Sequence, residues 1–584
     1  MFNLLFMVLK ISKKKLSVLL FFAFLLGVQP LFSQMNFIRV NQVGYYAHST
    51  KQAILANMEA EDFEIREYVS GDVVFRGELQ EGKHWKQSNE TLQVADFSTL
   101  TKPGKYYVYC LNEKSHPFEI KEKAVYESLS IWTLKAFYMW RASIDIKPEY
   151  ATFNGDDYSR AMGHADDTVY IHPTAASENR PTETFISAPR GWYDAGDYNL
   201  YVVNAGISFH ALALAYEMYP EYYKSLNLNI PESENGVPDL LDEMKWELDW
   251  LFNMQDEDGG VYHKLSSLRF CSMMLPSEDK LDRYMIGKST AATLNFSAVM
   301  AMASRIYKDY DSIFPGLSDK ALKASVSAWR WAEKNPEVHY SNPEGVRTGE
   351  YGDRGRSFSD EFFWAASELF ITTGDKKYFE RLDFMQLFET PTWAEVNSLG
   401  LVSLALHKEE MSKIVNMDAV DRKFKGLCEG LYNMCHYCPN LVPIKKFEWG
   451  SNGVIATNGA ILGLAYYIYK SDKYKEAMLS TFNYLLGTNP TDYCFVSRFG
   501  SRYPKNFHDR RTTAWNRKEP MPGYLAGGSN ANQVADCGKQ NYPSSAPARC
   551  YLDKTCSYST NEIAINWNAP MAALVGIVEN QIGQ

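Results

Sequence analysis

The chain has 584 residues, of which 46% are hydrophobic and 22% charged, with a formal net charge of -10. These proportions are ordinary for a folded protein. The length suggests two to four domains, although one large single barrel would also fit. The acidic balance excludes proteins that hold nucleic acid on a basic face.

The first 34 residues are typical of a secretory signal and are not expected to belong to the fold. Four lysines between residues 10 and 15 precede a strongly apolar run at residues 16–28, which is short for a bilayer span. No cysteine lies near its end, so we expect no lipid anchor there. No later stretch reaches about 18 apolar residues, so the sequence predicts no membrane span and a secreted or periplasmic protein.

The rest of the chain shows two different sequence patterns. Residues 36–120 contain short β-prone runs separated by polar turns, which predicts a small β-sandwich. From about Val125 to residue 584, long helical patterns alternate with long loops, as in the apolar repeat of residues 240–251. Several helices are apolar nearly all round and should be buried, so we expect a helical bundle or an α/α barrel. No low-complexity linker separates the two parts, so we expect them to dock directly.

Nine cysteines leave at least one without a disulfide partner. Cys550 and Cys556 are close enough in sequence for a small disulfide loop. The segment Cys428–Cys438 contains three cysteines and His436, which could hold zinc. A disulfide together with a buried thiol is the commoner arrangement.

Two acidic motifs are candidates for chemistry. In Gly191–Tyr198, the carboxylates of Asp194 and Asp197 are three residues apart across Ala-Gly, so each would shift the pKa of the other. One could hold a water while the other takes its proton, although an Asx turn at a helix start would explain the motif equally well. In Thr560–Pro570, Glu562 lies among amide and apolar side chains, where a partly desolvated carboxyl becomes a proton donor; the alternative is a helix-capping glutamate.

A third motif, Asn506–Arg511, supplies His508 and Arg510, which suit sugar hydroxyls or the orientation of a carboxylate. A solvated charged loop is the commoner meaning of such a cluster. Together the three motifs fit glycoside hydrolysis, which needs one acid at the leaving oxygen and one carboxylate at the anomeric side.

The chain resembles glycoside hydrolase family 9, in the branch with an N-terminal immunoglobulin-like domain. The resemblance covers nearly the whole chain after residue 34, and its separate motifs follow one another in the family's order. These motifs are Arg39–Tyr45, Gly236–Glu243, Gly259–Lys264, Asp360–Ala366, Leu485–Pro490, the His508 loop and the Glu562 segment.

The resemblance implies an (α/α)6 barrel with an open cleft, preceded by the β-sandwich, and hydrolysis with inversion. It implies that Asp197 is the base, that Asp194 helps to position the water and that Glu562 is the general acid. His508 and Arg510 match the family's His-x-Arg substrate-binding loop. No cofactor is required for this chemistry.

The resemblance also bears on metals. Related members carry a zinc site of Cys and His ahead of the Asp-Ala-Gly-Asp motif, but residues 111–190 contain no Cys, and His164 and His172 without thiolates make a poor zinc site. We therefore predict that zinc is absent. Family members bind calcium near the helix that matches Asp360 and Glu361, and paired hard oxygen ligands suit calcium. An ordinary helix start is the other explanation of that pair.

The expected substrate is a β-1,4-linked glucan, either cellulose or mixed-linkage glucan, cut internally by a monomer. An exo-acting β-glucosidase or exo-glucosaminidase on the same scaffold is the alternative, and the insert Tyr524–Thr555 could wall off the cleft. Tyr193, Trp449 and Tyr551, with Trp393, could be sugar platforms, although core packing would explain them as well. Two further alternatives are a non-catalytic glycan-binding protein and a polysaccharide lyase.

Overall fold

The computed structural model describes residues 36–353, 355–515, 517–532 and 534–583. The predicted export signal, residues 1–34, lies outside the described residues. Within the described ranges, no helix combines the length and the apolar character that a bilayer crossing requires.

A two-sheet sandwich forms the N-terminal part. One sheet has the strand order β1-β3-β7-β6, and the other has the order β2-β10-β8-β4-β5 with β9 paired to β8. Side chains such as Leu55, Phe63 and Val108 alternate into a buried core between the sheets, as the period-two pattern predicts. The strands are β1 Ile38–Arg39, β2 Tyr45–Tyr46, β3 Gln52–Ala56, β4 Asp62–Glu67, β5 Val73–Glu78, β6 Lys83–Trp85, β7 Glu90–Asp96, β8 Gly104–Cys110, β9 Glu113–Lys114 and β10 Phe118–Lys121.

Helices make up most of the remaining chain. They are α1 Glu127–Trp140, α2 Val202–Met218, α3 Pro220–Ser225, α4 Asp239–Met254, α5 Thr290–Tyr307, α6 Leu317–Lys334, α7 Ser359–Thr373, α8 Lys376–Phe379, α9 Asn397–Leu406, α10 Lys408–Met411, α11 Asp418–Tyr437, α12 Ser451–Tyr469, α13 Asp472–Asn483, α14 Arg510–Trp515, α15 Tyr558–Asn561 and α16 Ile565–Ile582.

Six of these helices close an inner ring, in the contact order α2, α5, α7, α9, α12, α16 and back to α2. They are buried on nearly every side because neighbours flank them and an outer layer covers them. In the outer layer, α1 packs on α16, α4 on α2, α6 on α5 and α7, α11 on α9 and α12, and α13 on α12. The outer helices α6 and α11 carry one buried stripe and a polar outer face. The predicted (α/α)6 barrel is confirmed.

Short strands at one end of the barrel support the loops that carry the acidic motifs. A five-stranded sheet runs in the order β14-β13-β17-β16-β15, and β11 pairs with β12 beside it. The strand β15 directly follows the Asp194–Asp197 motif and leads into α2. These strands are β11 Thr152–Phe153, β12 Asp156–Asp157, β13 Val169–Ile171, β14 Phe185–Ile186, β15 Leu200–Tyr201, β16 Tyr262–Ser266 and β17 Arg283–Lys288.

The sandwich docks directly on the helical part, as predicted. The side chain of Asn41 donates to Asn483 at 2.8 Å and to the Tyr126 hydroxyl at 3.2 Å. The side chain of Gln42 donates to the Asp492 carbonyl and accepts from the backbone N–H of Arg502 at 2.9 Å. Buried polar bonds of this kind fix the orientation of the sandwich because an unpaired buried amide is costly.

The cysteine pairing differs from the expected one. Cys537 is bonded to Cys556, with their Cα atoms 5.2 Å apart. Cys550 is a buried thiol that packs against Val534 and Tyr542, so the expected Cys550–Cys556 loop is wrong. In the described ranges, no three His, Cys, Asp or Glu side chains are grouped to share a metal ion, which leaves the zinc alternative for Cys428–Cys438 without support.

Candidate active site

A cavity of about 760 Å³ lies at the N-terminal ends of the inner helices. Tyr201, Gly450 and Ala564, the residues directly before α2, α12 and α16, all line it. The free N–H groups at helix N-termini carry partial positive charge, so this end of the barrel suits acidic side chains. The charged and titratable side chains that line the cavity are Asp194, Asp197, Glu350, Glu562, His508 and Arg510.

The three predicted motifs converge because their backbones pair with one another. Ala195 forms an antiparallel bridge with Ala564, and His508 forms a parallel bridge with Glu562. A Cβ atom at Gly196 would overlap the carbonyl oxygen of His508, so only glycine permits this approach. Segments more than 300 residues apart are thereby held at backbone contact, about as rigidly as strands of one sheet.

Asp194 is almost fully buried beside Asp197. Its carboxylate accepts a hydrogen bond from the Tyr351 hydroxyl at 2.8 Å and another from the Asn204 side chain. Burial, and secondly the charge of Asp197, raise the pKa of Asp194 to about 8. Asp197 accepts a hydrogen bond from the Asn199 side chain and faces the cavity with 5% of its surface exposed. The two carboxyls therefore have different environments three residues apart.

Glu562 faces the same cavity from the segment before α16. Burial raises the pKa of Glu562 well above its usual range, and the charges of Asp197 and Asp194 raise it further. Arg510 opposes this shift. A carboxyl with a raised pKa keeps its proton near neutral pH and can donate it.

His508 and Arg510 are oriented by backbone carbonyls. The Nδ1 atom of His508 donates to the Thr555 carbonyl at 2.7 Å, which fixes the ring and leaves Nε2 for the cavity. The guanidinium of Arg510 donates to the carbonyls of Gly196 at 2.8 Å and Cys271 at 3.2 Å. The predicted loop thus lies in the cavity with the acids.

Aromatic rings cover much of the remaining cavity wall. Trp449 is 43% exposed and its ring lies 5.5 Å from that of Tyr558. The Arg510 guanidinium lies 5.2 Å from the ring of Phe270, another partly exposed side chain. Sequence reasoning identified Trp393 and Trp449 but missed five other aromatics among the described lining residues, although two of them lie within six residues of Glu562. The missed residues are Tyr201, Phe270, Tyr351, Tyr558 and Trp567.

Two predicted sugar platforms do not line the cavity. Tyr193 is fully buried, and its hydroxyl bonds to Nδ1 of His164 at 2.8 Å. Tyr551 is buried against Phe495, and its hydroxyl donates to Asn561, the neighbour of Glu562. Both rings are core residues that support the acidic segments from behind, so their assignment as substrate platforms is wrong.

The insert Tyr524–Thr555 does not wall off the cavity. Its first residues, through Asn530, are buried in the core, and none of its described residues, 524–532 and 534–555, is part of the cavity lining. The disulfide at Cys556 instead joins the insert to the segment that carries Tyr558 and Glu562. The insert therefore supports the wall rather than closing one end.

An (α/α)6 barrel with three carboxylic acids and exposed aromatic rings at one end is the architecture of a carbohydrate-cleaving enzyme. The model of glycosyl hydrolase family 9 matches residues 126–575, and the model of the cellulase N-terminal ig-like domain matches residues 33–115. The chain belongs to glycosyl hydrolase family 9. It is a glycoside hydrolase, so the lyase and non-catalytic alternatives are wrong.

Relatives resemble the chain over nearly its whole length. The xyloglucan-specific endo-beta-1,4-glucanase BoGH9A of Bacteroides ovatus is 38% identical, over 93% of this chain and 93% of the relative. Endoglucanase D of Acetivibrio thermocellus is 31% identical, over 94% of this chain and 81% of the relative. A solved structure described as Bacteroides ovatus GH9 superposes with a TM-score of 0.85 at 36% identity, over 94% of this chain and 99% of that one.

The raised pKa of Glu562 predicts a pH-dependent cost in stability. Above the ordinary glutamate pKa of about 4.3, the unfolded chain releases a proton that the folded chain retains, so this group lowers the free energy of unfolding as pH rises. We expect Glu562→Gln to raise the free energy of unfolding at pH 7 and to change it far less at pH 4. Denaturant titrations at both pH values measure this.

Glu409→Gln, on an exposed side chain, is the matched control and should show no such difference. If Glu562→Gln lowers the free energy of unfolding at pH 7, or changes it equally at both pH values, the pKa of Glu562 is not raised in the folded protein.

Proposed function

We propose that the protein hydrolyses internal β-1,4 bonds of a neutral glucan with inversion, using Glu562 as general acid and Asp197 as general base. The observation that carries the proposal is that these two carboxyls line one cavity although 365 positions separate them in sequence. Burial raises the pKa of Glu562, which supports its role as the protonated acid.

Each acidic group has a distinct part in this proposal. Glu562 donates its proton to the leaving glycosidic oxygen, and Asp197 removes a proton from the attacking water on the other face of the sugar. Asp194, fixed by Tyr351 and Asn204, orients that water. An inverting pair is separated by about 6.5–9.5 Å to leave room for the water.

The residues that line the cavity support a neutral polymer as the substrate and cleavage at its internal bonds. Among the lining residues that the structure describes, Arg510 is the single arginine or lysine, against four carboxyl side chains, so a polyanionic chain would be repelled. Aromatic rings extend beyond the acids, at Phe270 and at Trp449, where flat rings can stack on successive sugars. The relatives named as endoglucanases point the same way, and BoGH9A makes xyloglucan a candidate alongside cellulose and mixed-linkage glucan.

Substitution of the acids tests their roles. We expect Glu562→Gln to lower kcat on unactivated β-glucan by on the order of 10²–10⁴-fold, because no proton reaches the leaving oxygen. Asp197→Asn should be equally damaging, and Asp194→Asn damaging but less completely. Reducing-sugar assays give the rates, and calorimetry with cellohexaose should show that Glu562→Gln still binds. Activity of Glu562→Gln or Asp197→Asn within a few-fold of wild type, with Glu409→Gln as the reference, rejects the assignment.

A product time course tests the mode of cleavage. Cellohexaose, barley glucan, xyloglucan and chitosan oligomers are incubated with the enzyme, and products are separated from the first minute. Internal cleavage predicts a mixture of short oligomers from cellohexaose, and inversion predicts the α-anomer as first product by NMR. Glucose alone at early times would replace this proposal by the exo-acting alternative, and release of glucosamine from chitosan would change the substrate class.

We also propose that calcium binds at the start of α7. Asp360 and Glu361 are both buried, their carboxyls are adjacent, and Oε2 of Glu361 has no hydrogen-bond partner within the described residues. Two neighbouring buried carboxyls need a proton or a cation between them, so the pair fits calcium as part of its oxygen shell. The ion would be structural. Zinc remains predicted absent, since His164 is bonded to Tyr193 and Asp279.

Native mass spectrometry of enzyme produced with its leader tests both metal binding and export. A polymeric glucan lies outside the cell, so the proposed substrate requires an exported enzyme. The expected mass is that of a chain lacking residues 1–34, as a monomer, with bound calcium that EGTA removes and without zinc. A full-length chain contradicts export, and a metal-free mass in millimolar calcium contradicts the ion site.

A further inference from the structure

Lys264 is a buried lysine behind the cavity that the proposed reaction does not use. It lies on β16, and its side chain is fully buried. Its ammonium donates to Oδ1 of Asn342 at 2.7 Å, to Oγ1 of Thr348 at 3.0 Å and to the Gly349 carbonyl at 2.7 Å. The three N–H groups are therefore satisfied by neutral oxygens. Among the described residues, no carboxylate lies within ion-pair distance of it.

A buried ammonium without a carboxylate partner is costly. Burial lowers the pKa of Lys264 to about 7, while the charges of Asp197 and then Glu350 act in the opposite direction. The proposed base is thus the carboxylate with the largest electrostatic effect on this lysine. The ammonium and the Asp197 carboxylate therefore attract each other.

The hydrogen bonds of Lys264 also hold a loop of the active site. Its three acceptors all belong to residues 342–349, and the side chain of Asn342 closes this loop by donating to the Thr348 carbonyl at 2.7 Å. The next residues, Glu350 and Tyr351, line the cavity. Since the Tyr351 hydroxyl donates to Asp194, a continuous series of contacts leads from Lys264 to the acidic motif.

We propose that Lys264 is a positioning residue for hydrolysis: it fixes the 342–351 loop so that Tyr351 stays on Asp194, and its positive charge attracts the carboxylate of Asp197. The proposal rests on the function proposed above, with Asp197 as base. It assigns to Lys264 two separable effects, one geometric and one electrostatic.

Other titratable groups face Lys264. His263 precedes it on β16, and His172 lies across the small sheet. Burial, and secondly the charge of Lys264, lower the pKa of both histidines, so neither adds much positive charge at pH 7. The phenol rings of Tyr201 and Tyr340 lie 5.6 and 5.8 Å from the ammonium and stay neutral because burial raises their pKa values.

The test is the pH profile of kcat/KM for Lys264→Met, Lys264→Arg and the wild type. Loss of the positive charge should move the acidic limb of the Lys264→Met profile to higher pH. Loss of the loop contacts should lower kcat by roughly tenfold or more, with KM changed less. Lys264→Arg keeps the charge and should leave the acidic limb near that of the wild type even if kcat falls.

Lys288→Met is the matched control. Lys288 lies on the neighbouring strand β17, where its ammonium pairs with Asp256 at 2.6 Å and Asp258 at 3.0 Å outside the cavity. The Lys288→Met substitution should leave kcat and both limbs of the pH profile unchanged. A Lys264→Met enzyme with wild-type kcat and an unmoved acidic limb overturns the proposal, and so does the same limb shift in Lys288→Met.

A second variant covers the case in which Lys264→Met does not fold. Thr348→Val retains the lysine but removes one of its acceptors, and it should lower kcat by several-fold without moving the acidic limb. Wild-type kcat in Thr348→Val would then reject the geometric effect and with it the proposal. These results are distinct from a failure of the proposed function. That failure would appear as a fully active Asp197→Asn enzyme, which would show that Asp197 is not the base.

Discussion

The close approach of Gly196 to His508 is the constraint on which the active site depends. At this point the backbone of the Asp-Ala-Gly-Asp motif touches the histidine loop, and the bridges to Glu562 and Ala564 lie directly beside it. Any side chain at position 196 would separate the strands and with them the carboxyls they carry. Close packing therefore requires small residues between the two aspartates, and this packing brings Asp197 and Glu562 to one cavity.

Burial in this cavity gives the acidic groups their chemistry at a cost in stability. Asp194 and Glu562 have raised pKa values because protein replaces water around them, and each negative charge penalises the next. The ring of inner helices offsets this cost, since it buries apolar surface on nearly every side of each helix. Repulsion between the acidic groups is tolerated because apolar burial in the surrounding barrel stabilises the fold.

Sequence patterns predicted the local features well and the contacts between distant segments poorly. The sandwich, the helical barrel and the acidic motifs containing Asp197 and Glu562 follow from periodicity and motif resemblance. The assignment of Tyr193 and Tyr551 to the substrate failed because proximity to an acid in sequence does not say which way a ring points. Tyr351 was missed for the opposite reason, since its contact with Asp194 spans 157 positions.

The β-sandwich contributes to the site although it contains no residue of the cavity lining. A Cβ atom at Gly487 would overlap the carbonyl of Val40, so the sandwich and the segment after α13 meet without intervening side chains. The Gln42 side chain then holds the backbone of Arg502, a few residues before the loop that carries His508. Because His508 pairs with Glu562 through the backbone, the sandwich stabilises the position of Glu562 from the far side of that loop. Its role is thus structural support of one wall of the active site, which accounts for the dense polar interface between the two parts.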